Sequence, residues 1–201
     1  MRRAVPILLL ALLPVLALGQ DAAPRKANVL IVYYSAKGHT QAMAEAVAKG
    51  AAAVEGAAAR AVNVAEAKVE DVLDADAVIV GSPVYKANVA PPLQEFINQW
   101  PIKDKRLKDK LGAAFATGSG ISAGEELTQM SLLHSMLVCG MLVAGGPDAG
   151  QPFGASAVTG ENPSGKDDEK PEALVNEHYL KKGEALGTRI AQLAVRLKSA
   201  K

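Results

Sequence analysis

The stretch that decides the fold is residues 27–50, which read ANVLIVYYSAKGHTQAMAEAVAKG. Residues 29–32 are continuously apolar, which is typical of a parallel strand covered on both faces. The run stops in a polar turn over residues 35–40, and small apolar residues at helical spacing follow directly. The stretch therefore predicts a buried strand, a hydroxyl-rich loop and the N-terminus of a helix.

The loop in this stretch has the composition of an anion site. Ser35 and Thr40 supply hydroxyls, and Gly38 lets the backbone approach a ligand closely. The free amides and the dipole of the helix that follows favour negative charge. A dinucleotide fingerprint and a triphosphate loop both need glycine patterns that are missing here. Two interpretations remain open: a loop around one terminal phosphate, and a plain structural turn.

The rest of the chain alternates strands and helices. Strands are predicted over residues 60–64, 75–80, 111–115 and 140–144, helices over 91–100, 125–138 and 175–198, a brief helix or turn over 65–73, and a long loop over 145–172. Five short strands alternating with helices predict an α/β domain with an open parallel sheet and helices on both faces. Ligands of such sheets bind beyond the carboxyl ends of the strands, where strand order reverses. The loops after strands one, three and four would meet there.

Composition limits the function classes. The chain has 201 residues, of which 49% are hydrophobic, so one ordinary globular domain is expected. A net charge of +1 gives no reason to expect nucleic-acid binding. His134 and His178 are interpreted as surface or packing residues, and no group of residues has the spacing of a metal site.

The N-terminus predicts export. Arg2 and Arg3 precede an apolar run over residues 4–18, and small residues follow at the spacing of a cleavage point. We interpret residues 1–19 as a signal peptide, residues 20–26 as a linker and residues 27–199 as the domain. The alternative is a retained membrane anchor, but the run is shorter than the roughly 20 residues that a span needs. In a bacterial source the exported protein would be periplasmic, with no stable membrane anchor after cleavage.

Two single residues have alternative interpretations. Cys139 stands alone and lies among Met136, Leu137 and Met141, so it is predicted to be a small core residue rather than a reactive thiol. Trp100 either stacks on a bound ring or plugs the end of the helix predicted over residues 91–100.

Several motifs together point to a known family. They are YYSAKGHT at residues 33–40, GSPVYKANV at 81–89, FATGSG at 115–120, GMLV at 140–143 and PFGAS at 152–156. In this combination the chain resembles the flavodoxin-like quinone reductases of the tryptophan-repressor-binding-protein (WrbA) type, over residues 27–199. The resemblance implies a flavodoxin-like five-stranded parallel sheet in the order 2-1-3-4-5, and bound FMN as cofactor. It also implies two-electron transfer from NAD(P)H to a quinone through flavin N5, and assembly as a homodimer or homotetramer.

The resemblance also implies which residues bind FMN. The phosphate would lie on the first loop, at Ser35, Ala36, Lys37, Gly38, His39 and Thr40. The flavin ring would lie between two further loops, one with Pro83, Val84, Tyr85 and Lys86, the other with Thr117, Gly118, Ser119 and Gly120. No side chain is assigned as a catalytic acid or base, because the flavin itself carries out the electron transfer.

Two other function classes compete with the reductase. An electron-carrier flavodoxin would serve a redox partner protein, but such carriers dock through a strongly acidic face, and this chain is nearly neutral. An exported binding module could keep the fold without the flavin. Flavin binding distinguishes a reductase from the flavin-free module, and reduction of the flavin by NAD(P)H distinguishes a reductase from the electron carrier.

Overall fold

The computed structural model describes residues 25–103, 105–159 and 174–200. The predicted signal peptide lies outside these residues, and so does most of the predicted linker. In the described part of the chain no helix is both long enough and apolar enough to cross a membrane.

The centre of the molecule is a parallel sheet in the order β2-β1-β3-β4-β5, which confirms the predicted fold class. Its strands are β1 (Ala27–Tyr33), β2 (Ala57–Asn63), β3 (Ala77–Pro83), β4 (Leu111–Gly118), β5 (Leu142–Val143) and β6 (Ala155–Val158). The strand order reverses between β1 and β3, because the chain moves from β1 to one edge and then returns to build the other.

Helices cover both faces of the sheet. They are α1 (His39–Ala52), α2 (Val69–Asp74), α3 (Pro91–Ile97), α4 (Glu125–Val138) and α5 (Glu177–Ser199), with a 3-10 turn at Lys105–Leu107. One apolar cluster packs α1 and α5 against the sheet, and a second packs α2, α3 and α4 against the other face. In β1, Val29 and Ile31 belong to the first cluster and Leu30 and Val32 to the second. This explains why the run has no polar positions.

The fifth position of the sheet is divided between two short strands. β5 pairs with the start of β4, at Leu111 and Gly112, whereas β6 pairs with its end, from Phe115 to Gly118. The prediction of a continuous loop over residues 145–172 is therefore wrong for residues 155–158. The backbone just before β6 packs closely against β4. A Cβ on Gly154 would lie only 2.9 Å from the Ala114 carbonyl carbon, so a side chain at this position would prevent the contact.

The two single-residue interpretations are now decided. Cys139 is 9% exposed in the core, and burial raises the pKa of its thiol. Trp100 is 4% exposed and packs edge-on against Phe96, with ring centroids 6.2 Å apart. Trp100 therefore plugs the end of α3, and it is not among the residues that line the cleft described below.

Asp76 joins three segments at the amino edge of the sheet. Its Oδ2 accepts hydrogen bonds from the Asn28 backbone N–H at 2.8 Å and from Lys198 Nζ at 2.7 Å. Lys198 Nζ also donates to the Lys26 carbonyl oxygen at 3.0 Å. Burial raises the pKa of Asp76, but the bonds from Lys198 and Asn28 and the charges of Lys198 and Lys110 outweigh it, so the net pKa is lowered.

This lowered pKa predicts a pH-dependent contribution to stability. Replacing Asp76 with Asn should lower the free energy of unfolding by about 1 kcal/mol at pH 7. The difference from the wild type should persist above about pH 4, the ordinary pKa of an unfolded aspartate. It should disappear as the pH falls through the lower pKa of the folded protein. Urea unfolding of both proteins across this pH range measures the effect.

The control for this experiment is Asp74→Asn. Asp74 is exposed at the end of α2 and carries the same charge two residues away. Its substitution should change stability by less than about 0.5 kcal/mol at every pH. Equal losses in the two variants at pH 7 would show that net charge, and not the contacts of Asp76, determines the effect.

Candidate functional site

A cleft of about 200 Å³ opens at the carboxyl ends of β1, β3 and β4, next to the reversal of strand order. Its lining residues come from three strand-end loops and from the residue after β6: Ser35, Ala36, Lys37, His39, Thr40, Pro83, Val84, Tyr85, Thr117, Gly118, Ser119 and Thr159. None of them is acidic. The position is the one at which open parallel sheets bind ligands.

The cleft is not the largest hollow in the described part of the chain. One of about 410 Å³ lies by Arg25, Ala27, Gly56 and Val195, at the amino ends of the strands. The cleft at the carboxyl ends is distinguished by its chemistry and not by its size. Of these two cavities, it is the one in which several hydroxyl groups and a helix N-terminus come together.

The first loop leads directly into the uncapped N-terminus of α1. Gly38 adopts a left-handed conformation, with φ of 88°, and its N–H donates to Ser35 Oγ at 3.1 Å. No side chain caps α1, and its first turn has no acidic residue. Glycine is needed here because other residues adopt this φ only at a cost. The first-turn amides of α1 are therefore available to an anion.

Three of the other four α-helices have side chains that complement the positive N-terminal end, whereas the short α3 starts with two prolines and has neither a side-chain cap nor an acidic residue in its first turn. α2 and α4 each have two acidic residues in the first turn. α5 starts with the cap Asn176, whose side chain accepts from the His178 N–H, and has Glu177 in its first turn. By contrast, the approach to α1 carries Lys37, an exposed cation. The electrostatics of the first loop thus favour a negatively charged ligand.

A buried hydrogen bond connects the first loop to β4. The hydroxyls of Thr40 and Thr117 are 2.8 Å apart, and either can be the donor. Thr40 is 1% exposed and Thr117 is 5% exposed. Two hydroxyls that share one bond still have acceptor and donor capacity toward the cleft. The bond fixes the start of α1 relative to the end of β4.

The second loop is a tight turn after β3. Ser82, at 0% exposure, accepts from the Ala90 N–H at 2.9 Å, so its hydroxyl closes the loop at the base. Tyr85 and Asn88 exchange two backbone hydrogen bonds, of 3.0 and 3.1 Å. The two residues between them, Lys86 and Ala87, have φ of 52° and 61°. Neither is a glycine, so the turn holds backbone strain beside the cleft.

Tyr85 lines the cleft, and Tyr34 packs against it. The rings of Tyr34 and Tyr85 lie edge to face, with centroids 6.3 Å apart. Burial and the hydrogen bond with Tyr34 raise the pKa of Tyr85. The Tyr85 phenol therefore stays neutral at pH 7 and offers both a ring surface and a hydroxyl to a ligand.

The third loop follows β4 and is bound to the residue after β6. The Gly118 carbonyl oxygen accepts from the Thr159 N–H at 2.9 Å and from its hydroxyl at 3.1 Å. The Thr117 carbonyl oxygen accepts from the Val84 N–H at 2.9 Å, which joins the third loop to the second. Backbone hydrogen bonds thus hold the three polypeptide segments around the cleft in a defined arrangement.

Eleven of the fourteen predicted site residues line the cleft. Gly38, Lys86 and Gly120 lie in the same three loops but are not among the lining residues. Sequence reasoning missed Thr159, which reaches the cleft only through the pairing of β6 with β4. Within the described residues, no group of three or more His, Cys, Asp or Glu side chains is placed to hold a metal ion.

The donor set fits a flavin mononucleotide. Uncapped helix amides, hydroxyls and a nearby lysine suit a phosphate monoester, whereas carboxylates, which would repel it, are missing from the lining. Tyr85 and the backbone of the second and third loops form the walls on which a flat ring could lie. The fit covers both parts of the cofactor, the anionic end and the aromatic end.

Comparison with known proteins agrees with this geometry. The flavodoxin domain family matches residues 30–137. An NAD(P)H dehydrogenase (quinone) of Sinorhizobium fredii is 35% identical over 67% of this chain and 84% of its own length. Another of that name, from Cupriavidus metallidurans, is 30% identical over 79% of this chain and 94% of its own. A flavodoxin, WrbA-like protein from Agrobacterium tumefaciens shares the fold, with a TM-score of 0.65 at 23% identity over 85% of this chain and 99% of its own.

Proposed function

The chain belongs to the flavodoxin family, and from this premise we propose that it is an FMN-dependent oxidoreductase that uses NAD(P)H to reduce a quinone-type acceptor. Two relatives with at least 30% identity over most of their length are NAD(P)H dehydrogenases (quinone). The observation that carries the proposal is the cleft, where an uncapped helix N-terminus and the ring of Tyr85 meet at the reversal of strand order.

The first loop would hold the phosphate. The amides at the start of α1 would donate to its oxygens, and Ser35, Thr40 and Lys37 would add hydroxyl and charged contacts. The hydrogen bond between Thr40 and Thr117 orients both hydroxyls before the ligand arrives. Binding then costs little side-chain ordering, since buried threonines have few conformations left to lose.

The second and third loops would hold the ring. Val84, Tyr85 and Gly118 line the wall of the cleft. The Val84 and Tyr85 N–H groups already donate to the Thr117 and Asn88 carbonyl oxygens, so backbone donors to the polar edge of a flavin would come from the third loop. When bound, FMN would supply the two-electron chemistry between NAD(P)H and the quinone, at its N5 and in a ping-pong sequence. The residues of the chain bind and orient, and no side-chain acid or base is needed.

Flavin binding and reduction test this proposal. The purified protein should quench FMN fluorescence with a 1:1 stoichiometry. Under anaerobic conditions, NAD(P)H should bleach the flavin absorbance, and a quinone such as benzoquinone should restore it. A protein that fails to bind FMN would support the flavin-free binding module. If the protein binds FMN but NAD(P)H does not bleach the flavin absorbance, the result would support the electron carrier. The experiment therefore distinguishes the three functions.

Two further properties belong to the same proposal. We propose that residues 1–19 direct export, to the periplasm in a bacterial source, and that the mature protein assembles as a homodimer or homotetramer. The apolar run after Arg2 and Arg3 supports the first, and the resemblance to the WrbA type supports the second. The intact mass of the protein from its source and its sedimentation at micromolar concentration test the two separately.

A further inference from the structure

Glu125 is a buried carboxylate that the proposed reaction does not use. It is the first residue of α4 and is 6% exposed. Its Oε2 accepts from the Gly124 N–H at 3.1 Å, whereas its Oε1 is buried and has no hydrogen-bond partner among the described residues. Leaving a buried charged oxygen without a partner is costly, so its presence here calls for a reason.

Glu125 lies directly behind the wall of the cleft. A Cβ placed on Gly118 would lie 2.8 Å from Glu125 Cδ and 3.2 Å from Cγ, so the side chain fills the space that any larger residue at 118 would take. Gly118 itself lines the cleft. A single backbone segment therefore separates the carboxylate from the place where the flavin ring is proposed to lie.

Capping of α4 does not require this burial. Glu126 is exposed in the same first turn and already complements the helix dipole from solvent. A second buried polar atom lies one turn further along α4, where Thr128 Oγ1 also has no partner among the described residues. Of these two groups, Glu125 lies against Gly118, at the end of β4 and behind the third loop.

We propose that Glu125 is a positioning residue that holds a negative charge behind the flavin ring and thereby weakens the binding of reduced FMN relative to oxidised FMN. The inference rests on the proposed function. Hydride transfer brings two electrons and one proton, so it adds one negative charge to the ring. A fixed carboxylate behind Gly118 opposes this added charge, because the segment between the carboxylate and the cleft is protein backbone, which screens charge less than bulk water does. The consequence is a bound flavin that gives its electrons up readily.

The test uses the neutral variants Glu125→Gln and Glu125→Ala. The affinity for oxidised FMN is measured by fluorescence quenching, and the midpoint potential of bound FMN by equilibration with redox dyes; together they give the affinity for reduced FMN. Both variants should bind reduced FMN about tenfold more tightly, relative to oxidised FMN, than the wild type does. For a two-electron couple this ratio corresponds to a rise of about 30 mV. Glutamine and alanine differ in shape, so an effect that both substitutions produce is attributed to the loss of the negative charge.

Two controls separate the charge from the packing. Glu126→Gln removes the same charge from the solvent side of the same turn, and Glu125→Asp keeps the charge behind Gly118; both should leave the affinity ratio within about twofold of the wild type. Equal shifts in Glu125→Gln and Glu126→Gln, or no shift in any variant, would overturn the inference while the wild type still bound FMN. A wild type that binds no FMN would instead overturn the proposed function.

Discussion

Replacing Gly187 with alanine should destabilise the protein by about 3 kcal/mol, because α5 would be pushed away from α1. A Cβ at this position would overlap the Val47 carbonyl oxygen and lie 2.8 Å from its carbon and 3.0 Å from the Ala51 nitrogen. These atoms belong to the α1 backbone, so no side-chain rotation relieves the overlap. Gly50 makes the reciprocal contact, since its Cβ would lie 2.6 Å from the Glu184 carbonyl carbon.

The contact is costly to disturb because α1 and α5 together pack against one face of the sheet. Leu186 and Ile190 of α5 pack in the same apolar cluster as Met43 and Val47 of α1. Moving α5 outward by the width of a methyl group would open space beside several fully buried side chains at once. Core voids cost about 24 cal/mol per Å³ in addition to the lost transfer energy. Denaturant unfolding followed by circular dichroism measures the loss.

Gly183→Ala is the matched control for this substitution. Gly183 is buried one turn earlier on α5, and a Cβ there would lie 3.4 Å from the Ala46 Cβ, the Met43 Cε and the Met43 carbonyl oxygen. Alanine is about 1 kcal/mol more favourable than glycine inside a helix, which offsets the tight contact. Gly183→Ala should therefore lie within about 1 kcal/mol of the wild type. Equal stability of the two variants would show that α1 and α5 can separate without penalty.

The parallel sheet and the place of the site were accessible from sequence because both depend on local patterns, whereas the strand order followed from the resemblance to a known family. The apolar run over residues 29–32 has no polar gap, which is typical of a strand covered on both faces. The polar loops that follow strands one, three and four then had to meet at one edge of a parallel sheet. These statements need only neighbouring residues and the general topology of such sheets.

The second piece of the fifth strand was not accessible in this way. Residues 155–158 read ASAV, a short run with little strand propensity, in a stretch rich in glycine and proline. They become a strand because Gly154 lets the backbone approach the Ala114 carbonyl, a contact between distant parts of the chain. Thr159 was missed for the same reason, since the register of β6 with β4 is what brings it to Gly118.

Two details of the site also depend on long-range packing. Thr40 is predicted from sequence as a phosphate contact, but its hydrogen bond to Thr117 joins residues 77 positions apart. Glu125 looks from sequence like an ordinary acidic residue at the start of a helix. Its burial follows only from the absence of a side chain at Gly118, which allows α4 to approach the sheet. The motifs therefore indicated which residues belong to the site, but they did not indicate which distant residues these contact.

Replacing Thr40 with valine should lower the affinity for FMN roughly ten- to one-hundredfold. Valine has nearly the shape of threonine, so the fully buried position is filled and only the hydroxyl is lost. A hydrogen bond to a charged group is worth about 1.5 to 3 kcal/mol, and about 1.4 kcal/mol corresponds to a factor of ten. The Thr117 hydroxyl also loses its partner, which should reduce the stability of the flavin-free protein by about 1 kcal/mol.

Riboflavin makes this prediction specific to the phosphate. It has the same ring as FMN and no phosphate, so Thr40→Val should weaken FMN binding and leave riboflavin binding unchanged within about twofold. Thr188→Val is the control for the loss of stability, because the Thr188 hydroxyl donates to the Gly50 carbonyl at 3.0 Å in the contact between α1 and α5, remote from the cleft. It should lower stability by a similar amount and leave FMN affinity unaltered. Equal weakening of FMN and riboflavin by Thr40→Val would place the effect at the ring and remove the phosphate from the first loop.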